Sequence, residues 1–592
     1  MQAILENEVD AILIAPERLA DRGFMEEVFD PIVKSSGLFV IDEAHCISLW
    51  GHDFRPDFRR IHRVVKKFGR TTAVLAATAT ATEAVITDVS AEVGAVTVLR
   101  GSLMRESIAL DVVRLPSRSA RLEWLARHIH QLPRAGIIYT LTRNDADTVA
   151  KWLRNQGIAA EAYYSGVTHP DFRNSGDYRK HLEDRLRANE LKVLVATTAL
   201  GMGFNKPDLG FVIHFQAPGS LLNYYQQVGR AGRDGKRAYG ILLTGSEDQH
   251  INSYFRSEAF PKPEWIREIL DALDLHGALT IPMLQQHVNL SWSRIEKVLR
   301  YLAVERPAVV TRVGSAWKRR RVSFYYDTHF NDMLSDLRLT EWNEVLAYTE
   351  TTSCLATTLS RSLSGPDSEP CGICSNCIGG PVIGAGAKPV KSATEFLANA
   401  DIELRCKGRA PGKAFVIDAL SGNLPARIRA RQGRVLARWA EAGWGRMIMH
   451  DREAGTRFRE ELVAAAALLI TQRWNPDPAP EWVTCIPSSH RRPGLVTDFA
   501  ERLAAELALP FHPVIVRVRE NESQSQQNNA FHQCRNLDGV FEVQTAVPEG
   551  PVLLVDDVVR SEWSMTLGAA HLRRAGSGPV LPFALANADT PV

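Results

Sequence analysis

The chain has 592 residues, of which 45% are hydrophobic and 23% charged, and its formal net charge is +2 at pH 7. This composition is typical of globular proteins, and the length favours roughly three to five domains. The sequence contains no apolar run near the ~20 residues that span a bilayer, and the acidic start MQAILENEVD lacks the pattern of a signal peptide. We therefore expect a cytoplasmic protein without a membrane partner.

The first chemically informative stretch is an apolar run from Leu38 to Ile41 that ends in Asp42 and Glu43. This pattern predicts a buried parallel strand with two carboxylates at its end. Asp42 could hold Mg²⁺ at the phosphates of a nucleotide, and Glu43 could orient and deprotonate an attacking water. A solvated strand end is the alternative that these residues alone leave open.

The next 200 residues carry further short motifs between predicted strands and helices. Residues 135–139 and 193–198 predict buried strands, and residues 142–155 predict a helix. Glycines at 201 and 203 would let backbone approach phosphate closely. The arginines at 230 and 233 lie three residues apart, which predicts that they share one helix face.

Together these stretches resemble the RecQ family of superfamily 2 helicases, over about residues 1–250 and 331–380. The resemblance implies two RecA-like parallel-sheet domains, ATP and Mg²⁺ as cofactors, and unwinding of DNA in the 3′ to 5′ direction during repair or recombination. Its partners would be single-stranded and forked duplex DNA. The matching motifs are DEAH at 42–45, ATAT at 77–80, AYYSG at 162–166, ALGMGFNKPD at 199–208 and YYQQVGRAGRDG at 224–235.

The resemblance also assigns roles to individual side chains. Arg233 would be the arginine finger at the γ-phosphate with Arg230 supporting it, and Thr78 and Thr80 would couple the nucleotide site to the DNA site. An aromatic-rich loop, with Leu49 where the family usually has Gln, would sense single-stranded DNA. The nucleotide-binding set is Asp42, Glu43, His45, Gly201, Gly203, Asp208 and Gln226, and the DNA-sensing loop contributes Trp50, His52, Phe54, Arg55 and Asp57.

The sequence contains no glycine-rich phosphate-binding loop, which a helicase is expected to have. A helicase needs a glycine-rich loop whose N–H groups and Lys cradle the phosphates, yet no G-x-x-x-x-G-K-[ST] occurs in the 592 residues. In the family that loop lies upstream of the position where this chain begins. We therefore expect residues 1–100 to form an incomplete first motor domain, followed by a second at 101–250. A catalytically inactive DNA-binding protein is the alternative.

Residues 251–330 predict a winged-helix domain. Residues 263–275, 281–287 and 291–303 predict three short helices, which precede a β-branched stretch at 309–313. The third helix and a basic wing of Lys318, Arg319, Arg320 and Arg321 would contact DNA phosphates. A helical packing domain is the alternative, and RecQ-like proteins usually carry the winged helix after the zinc site.

Residues 331–380 contain a tight cysteine cluster, Cys354-x₁₆-Cys371-x₂-Cys374-x₂-Cys377. Four thiolates at this spacing predict a closed, tetrahedral and structural Zn²⁺ site, and the spacing is that of the RecQ zinc module. We expect a helix to carry Cys354 and a tight turn through Gly372 to supply the other three ligands.

The last part of the chain predicts a separate α/β domain. Residues 381–454 are expected to be a linker and an unassigned basic segment, and strands alternate with helices from about 455. A buried strand at 551–559 ends in Asp556 and Asp557, and the region resembles the ComF-like phosphoribosyltransferase group. That resemblance implies that both carboxylates hold ribose hydroxyls and that a loop with Ser561 and Thr566 wraps the 5-phosphate. Because the loop lacks the family's glycine and carries Glu562, we favour phosphoribosyl binding or a structural role over transferase activity.

Overall fold

The computed structural model describes most of the chain, and no helix in the described part is long and apolar enough to cross a membrane. The described residues are 4, 6, 8–33, 35–47, 60–68, 72–79, 81–94, 96–201, 204–245, 247–258, 260–305, 307–384, 391–399, 402–441, 443–455, 457–488, 492 and 494–588.

The first α/β unit is built on two parallel strands, β1 (Leu38–Ile41) and β2 (Ala73–Ala76), with Leu38 opposite Ala73. Ile41 is buried against Val85 and Val89 of the following helix. Residues 11–15 are apolar but make no strand pairing in the described residues, and they lead into a 3₁₀ turn at Pro16–Ala20. The helices are α1 (Arg22–Phe24), α2 (Asp30–Val33), α3 (Ile61–Val65) and α4 (Glu83–Val93), with a π-helical turn at Met25–Phe29 and a 3₁₀ turn at Ala44–Ile47.

The second unit is a six-stranded parallel sheet in the order β3-β8-β7-β4-β6-β5. Its central strands are buried at every position, as expected when helices cover both faces. Thr142 caps the predicted helix at Arg143–Asn155. The strands are β3 (Ile108–Arg114), β4 (Gly136–Tyr139), β5 (Ala160–Tyr163), β6 (Val193–Ala196), β7 (Phe211–His214) and β8 (Ala238–Thr244), and the helices are α5 (Arg118–His128), α6 (Arg143–Asn155), α7 (Ser175–Arg187) and α8 (Leu221–Val228).

A small helical unit follows, and its elements have the order that the sequence predicted. The helices α10 (Pro263–His276), α11 (Ile281–His287) and α12 (Trp292–Val304) precede a hairpin of β9 (Val310–Val313) and β10 (Ala316–Arg319). Ser291 caps α12 through its side chain, and Gly277 with a φ of 79° ends α10. An isolated bridge between Leu279 and Trp317 ties the hairpin to the helices.

This helical unit is inserted between two helices that pack on each other, α9 (Asp248–Ser257) and α13 (Thr328–Glu350). Trp342, Val345 and Tyr348 of α13 join the hydrophobic core of the second unit. The cysteine segment therefore rests directly on the six-stranded sheet. It contains α14 (Leu355–Ser362) and α15 (Ser375–Ile378), and α16 (Ala393–Ala398) lies beyond it.

The C-terminal unit has a five-stranded sheet in the order β11-β14-β19-β18-β15, parallel except for the edge strand β11. Because β11 and β14 belong to this sheet, the domain begins near residue 402, and the boundary predicted at 455 is wrong. The strands are β11 (Ile402–Leu404), β12 (Arg409–Ala410), β13 (Gly422–Asn423), β14 (Gly433–Arg438), β15 (Trp482–Cys485), β16 (Ile515–Arg517), β17 (Phe541–Val543), β18 (Val552–Val559) and β19 (Val580–Asn587). The helices are α17 (Trp444–Ala454), α18 (Glu460–Leu468), α19 (Leu495–Glu506), α20 (Ala530–Leu537) and α21 (Trp563–Arg574), with a π-helical turn at Leu469–Trp474 and 3₁₀ turns at Ala426–Ile428 and Gln524–Gln526.

Candidate nucleotide-binding cleft and metal centre

Asp42 and Glu43 lie in the turn that directly follows β1. The Glu43 N–H donates to Asp42 Oδ1 at 2.9 Å, and Glu43 has a φ of 51°. A left-handed backbone is unusual for a non-glycine residue, and such strain is concentrated at functional sites. The turn thus holds the two carboxylates at the edge of the sheet in a fixed arrangement.

His45 connects this turn to the end of β2. The ring is buried, and its Nδ1 lies 3.0 Å from Thr78 Oγ1 and 3.3 Å from Glu43 Oε2. His45 thus lies between the side chains of Glu43 and Thr78. Thr80 and the predicted DNA-sensing residues Trp50, His52, Phe54, Arg55 and Asp57 lie outside the described residues.

Arg230 and Arg233 lie on a turn, so the prediction that they share one helix face is wrong. The helix α8 ends at Val228 with Gly229 as its C-cap, and Gly232 has a φ of 61°. Arg230 Nη1 donates to the Phe204 carbonyl at 3.1 Å, and Arg233 Nη1 donates to Asn205 Oδ1 at 3.1 Å. The motif at 199–208 therefore positions the arginines.

Both carboxylates and both arginines line one cleft of about 1240 Å³ between the first and second α/β units. Gln226 also lines this cleft. The buried atoms Gln226 Nε2 and Arg230 Nε have no hydrogen-bond partner among the described residues. Such buried, unpaired donors indicate a polar ligand.

The electrostatics of the cleft favour an anion. Burial, Arg230 and Arg105 together lower the pKa of Arg233, because several positive charges are crowded in a partly desolvated space. A polyphosphate between the arginines would relieve this repulsion. Oxygen ligands such as those of Asp42 are the type that Mg²⁺ prefers.

Arg105, Asn205 and Tyr225 also line the cleft, although the sequence did not assign them to it. Asn205 lies inside a quoted motif and could have been found there. Burial raises the pKa of Tyr225, and a hydrogen bond with Arg105 opposes that rise. Arg105 stands in a stretch without a motif, so only the fold brings it to the cleft.

Three of the predicted nucleotide-binding residues, His45, Gly201 and Asp208, are not among the described residues that line the cleft. A side chain at Gly201 would place its Cβ 2.9 Å from the Thr198 carbonyl, so this glycine is required by a close backbone approach. Asp208 pairs with Lys206 at 2.8 Å, and this hydrogen bond lowers the pKa of Asp208. Gly203 lies outside the described residues.

The four predicted cysteines form one cluster. The sulfur atoms of Cys354, Cys371, Cys374 and Cys377 all lie within 4.8 Å of one another, with distances of 3.9 Å for Cys374–Cys354 and 4.0 Å for Cys371–Cys377. A tetrahedral Zn–S₄ site has S···S distances of about 3.8 Å. Gly372 has the expected left-handed φ of 72°. Cys354 caps α14 and does not lie within a helix, which corrects that detail.

The pKa values of the Cys354 and Cys371 thiols are shifted in opposite directions. Burial raises the pKa of Cys354, but hydrogen bonds from the Cys371 N–H and from Thr357 outweigh burial and lower the pKa to about 6. Burial raises the pKa of Cys371 to about 12. The protein thus favours the thiolate at Cys354, whereas burial opposes the thiolate at Cys371.

The predicted DNA-contacting residues of the helical unit differ in their availability. Lys318, Arg320 and Arg321 are exposed, whereas Arg319 pairs with Asp274. On α12, Arg294 binds Glu258 at 2.7 Å and Asn528 at 3.2 Å, and Asn528 belongs to the C-terminal unit. Arg294 in the first turn of the third helix is therefore engaged in protein contacts, and the hairpin is the more accessible basic surface.

Asp556 and Asp557 lie inside β18, not at its end. Burial, reinforced by Asp557, raises the pKa of Asp556 well above its ordinary value. Asp557 accepts a hydrogen bond from Arg452 Nε at 2.6 Å. A ligand hydroxyl would have to compete with Arg452 for this carboxylate.

The prediction that a loop containing Ser561 and Thr566 follows this strand is wrong, because the helix α21 begins at Trp563. Thr566 is buried in that helix, donating to the Glu562 carbonyl at 2.7 Å and accepting from the Lys407 N–H at 2.9 Å. Of the two hydroxyls predicted to bind phosphate, only that of Ser561 lies on the short connection before α21, where Ser561 is partly exposed and Glu562 pairs with Lys407 at 2.7 Å.

Family comparisons agree with the two-unit cleft. Residues 1–89 match the DEAD/DEAH box helicase family, and residues 120–235 match the helicase conserved C-terminal domain. The two matches thus fall on the two α/β units that border the cleft, and both units resemble domains of helicases.

The most informative relatives are RecQ-type. The chain is 35% identical over 261 residues to the ATP-dependent DNA helicase RecQ of Bacillus subtilis, covering 43% of this chain and 41% of that protein. It is 39% identical over 215 residues to the RecQ-like DNA helicase BLM of Xenopus laevis, covering 36% and 15% respectively. The chain thus spans less than half of the length of either relative. Over this stretch, the sequence resembles DNA helicases of the RecQ type.

Proposed function

We propose that this protein is an ATP-dependent DNA helicase that unwinds DNA in the 3′ to 5′ direction, as in repair or recombination. The observation that carries the proposal is the single cleft lined by Asp42 and Glu43 from one unit and by Arg230 and Arg233 from the other. An ATP bound there would contact both units, so hydrolysis would change how firmly they are held together.

Different residues of the cleft would carry out different steps of ATP hydrolysis. Glu43 would orient and deprotonate the attacking water, while Arg233, with Arg230 and Arg105 beside it, would stabilise charge on the γ-phosphate. Asp42 would hold Mg²⁺, which when bound supplies neutralising charge at the phosphates. The contact of His45 with both Glu43 and Thr78 would pass the state of the nucleotide to the DNA side.

The test measures DNA-stimulated ATP hydrolysis by two preparations in parallel. One is the protein as expressed from its own chromosomal gene, here called the locus-derived protein, and the other is the chain that starts at Met1. Glu43→Gln removes the base but keeps the shape, and we expect it to lower kcat at least about 100-fold with little change in ATP binding. Glu92→Gln, at a carboxylate outside the cleft lining, is the control. No DNA-stimulated hydrolysis by the locus-derived protein would refute the proposal, and salt-sensitive DNA binding alone would favour the inactive DNA-binding alternative.

We further propose that the cysteine cluster holds structural Zn²⁺ and that residues 251–330 act as a winged helix. The S···S distances and the closed set of four thiols support the metal. The exposed hairpin residues Lys318, Arg320 and Arg321 support backbone contacts to DNA.

Phosphoribosyl binding by the C-terminal unit stays a separate prediction. Its support is the buried pair of carboxylates on a central strand of a mostly parallel sheet. Calorimetric titration with phosphoribosyl pyrophosphate tests it, with Asp556→Asn as the comparison. Absence of binding heat with the unmodified protein would rule it out.

A further inference from the structure

The C-terminal unit carries a concentration of positive charge that the helicase proposal does not use. Residues 405–434 contain eight Lys or Arg residues and one acidic residue, although the whole chain has a net charge of only +2. The single acid, Asp418, is buried, lies 3.0 Å from His571 Nε2 and accepts the Gly539 N–H at 2.8 Å. Its carboxylate therefore does not neutralise the surface.

Most of these cations have no acidic partner. Lys407 pairs with Glu562 and Arg405 with Glu403. Within the described part of the chain, no carboxylate lies in ion-pair range of the other six. These six, here called the C-terminal basic surface, are Arg409, Lys413, Arg427, Arg429, Arg431 and Arg434.

The fold brings separate segments together on this surface. Arg573, at the end of α21, donates through Nε to the Arg427 carbonyl at 2.9 Å, and Arg574 donates to the Asp418 carbonyl at 2.6 Å. Arg429 donates to the Leu424 carbonyl at 2.6 Å, and Leu424 in turn donates its N–H to the carbonyl of Gly408. Hydrogen bonds thus hold the backbone of the surface rigid while the guanidinium groups of Arg427 and Arg431 stay exposed.

We propose that the C-terminal basic surface binds the phosphate backbone of DNA, as a second binding site distinct from the motor. Arginines without acidic partners are suited to phosphate groups, and a set of them releases the cations condensed on a polyanion when it binds, which favours binding. The choice of DNA over another polyanion rests on the proposed function, because the motor on the same chain would deliver DNA near this surface.

The experiment measures equilibrium binding of the full chain to labelled single-stranded and duplex DNA by fluorescence anisotropy over a series of salt concentrations, without ATP. The test variant is Arg427→Ala with Arg431→Ala. The matched control is Arg446→Ala with Arg519→Ala, which removes two exposed arginines of the same unit outside the surface. Circular dichroism verifies that each variant is folded.

We expect the test variant to reduce the slope of log K against log salt by about 1.4 on single strands or about 1.8 on duplex, since each lost phosphate contact contributes roughly 0.7 or 0.9. The control should keep the slope, and Arg427→Lys with Arg431→Lys should restore it. Equal slopes for the test variant and the control would overturn the proposal. A difference seen only with polyglutamate would also overturn it, in favour of an acidic protein partner. Because no ATP is present, failure of the motor proposal would leave this result unaffected.

Discussion

At the scale of single residues, the geometry separates the roles of the two cleft arginines. Arg230 is buried and bonded to the Phe204 carbonyl, whereas Arg233 is more exposed and lies beside Asn205. Arg230 is thus part of the wall of the cleft, and Arg233 is the guanidinium with freedom to reach a ligand.

We therefore expect Arg233→Ala to reduce kcat for DNA-stimulated ATP hydrolysis by about 1000-fold or more, with a smaller change in KM, because an arginine finger acts mainly on the transition state. Arg233→Lys should recover only part of the rate, since a lysine lacks the planar fork. Steady-state kinetics at saturating DNA checks this. A variant that raises KM alone would show that Arg233 only binds ATP.

Residue types and spacing predicted much of this site, but not all of it. The Asp-Glu turn and the four cysteines are local patterns, so they could be read from the sequence. Arg105 could not, because it reaches the cleft only through the docking of the two units. The helix predicted to carry Arg230 and Arg233 does not form, because the preceding helix ends at Gly229 and Gly232 adopts a left-handed conformation. A spacing of three residues between the arginines does not reveal where the helix ends.

Among the helices and strands, those whose ends are set by neighbouring residues were predicted, whereas those defined by pairing with distant residues were missed. The three helices at 263–304 were predicted to within a few residues, since caps such as Ser291 and breakers such as Gly277 are local. The strands β11 and β14 were missed because β11 has only three residues and β14 is defined by its pairing with β19, far along the chain. Short strands with remote partners leave little pattern in the sequence.

Loss of one of the four cysteines should abolish zinc binding by the whole cluster. We expect Cys371→Ser to abolish stoichiometric zinc and to lower the Tm by several degrees, because a structural site contributes directly to folding. Cys406→Ser, at a cysteine outside the cluster, should retain zinc. Metal analysis and thermal unfolding check this, and full zinc content in Cys371→Ser would contradict the four-thiolate assignment.

At the scale of the whole molecule, an ionic contact joins the second motor unit to the C-terminal unit. Arg118 lies 2.7 Å from Asp145 Oδ1 and also pairs with Glu441. Burial raises the pKa of Asp145, but Arg118 and the hydrogen bonds from Thr142 and Gln216 together outweigh burial, so the pKa is lowered. The contact is largely desolvated, so removing one partner leaves a costly buried charge.

We predict that a double-mutant cycle of Arg118→Ala and Glu441→Ala gives a coupling free energy of about 1–3 kcal/mol in urea unfolding. The exposed helical pair Arg300 and Glu296 should give no more than about 0.5 kcal/mol. Equal coupling for the two pairs would mean that the units are not docked through this contact.

Strand separation by the locus-derived protein, on duplexes with either a 3′ or a 5′ single-stranded tail, tests the proposed helicase activity. We expect ATP-dependent unwinding of the 3′-tailed duplex, loss of that activity in Glu43→Gln, and little unwinding of the 5′-tailed duplex. Tight DNA binding without strand separation on either substrate, at any ATP concentration, would contradict it.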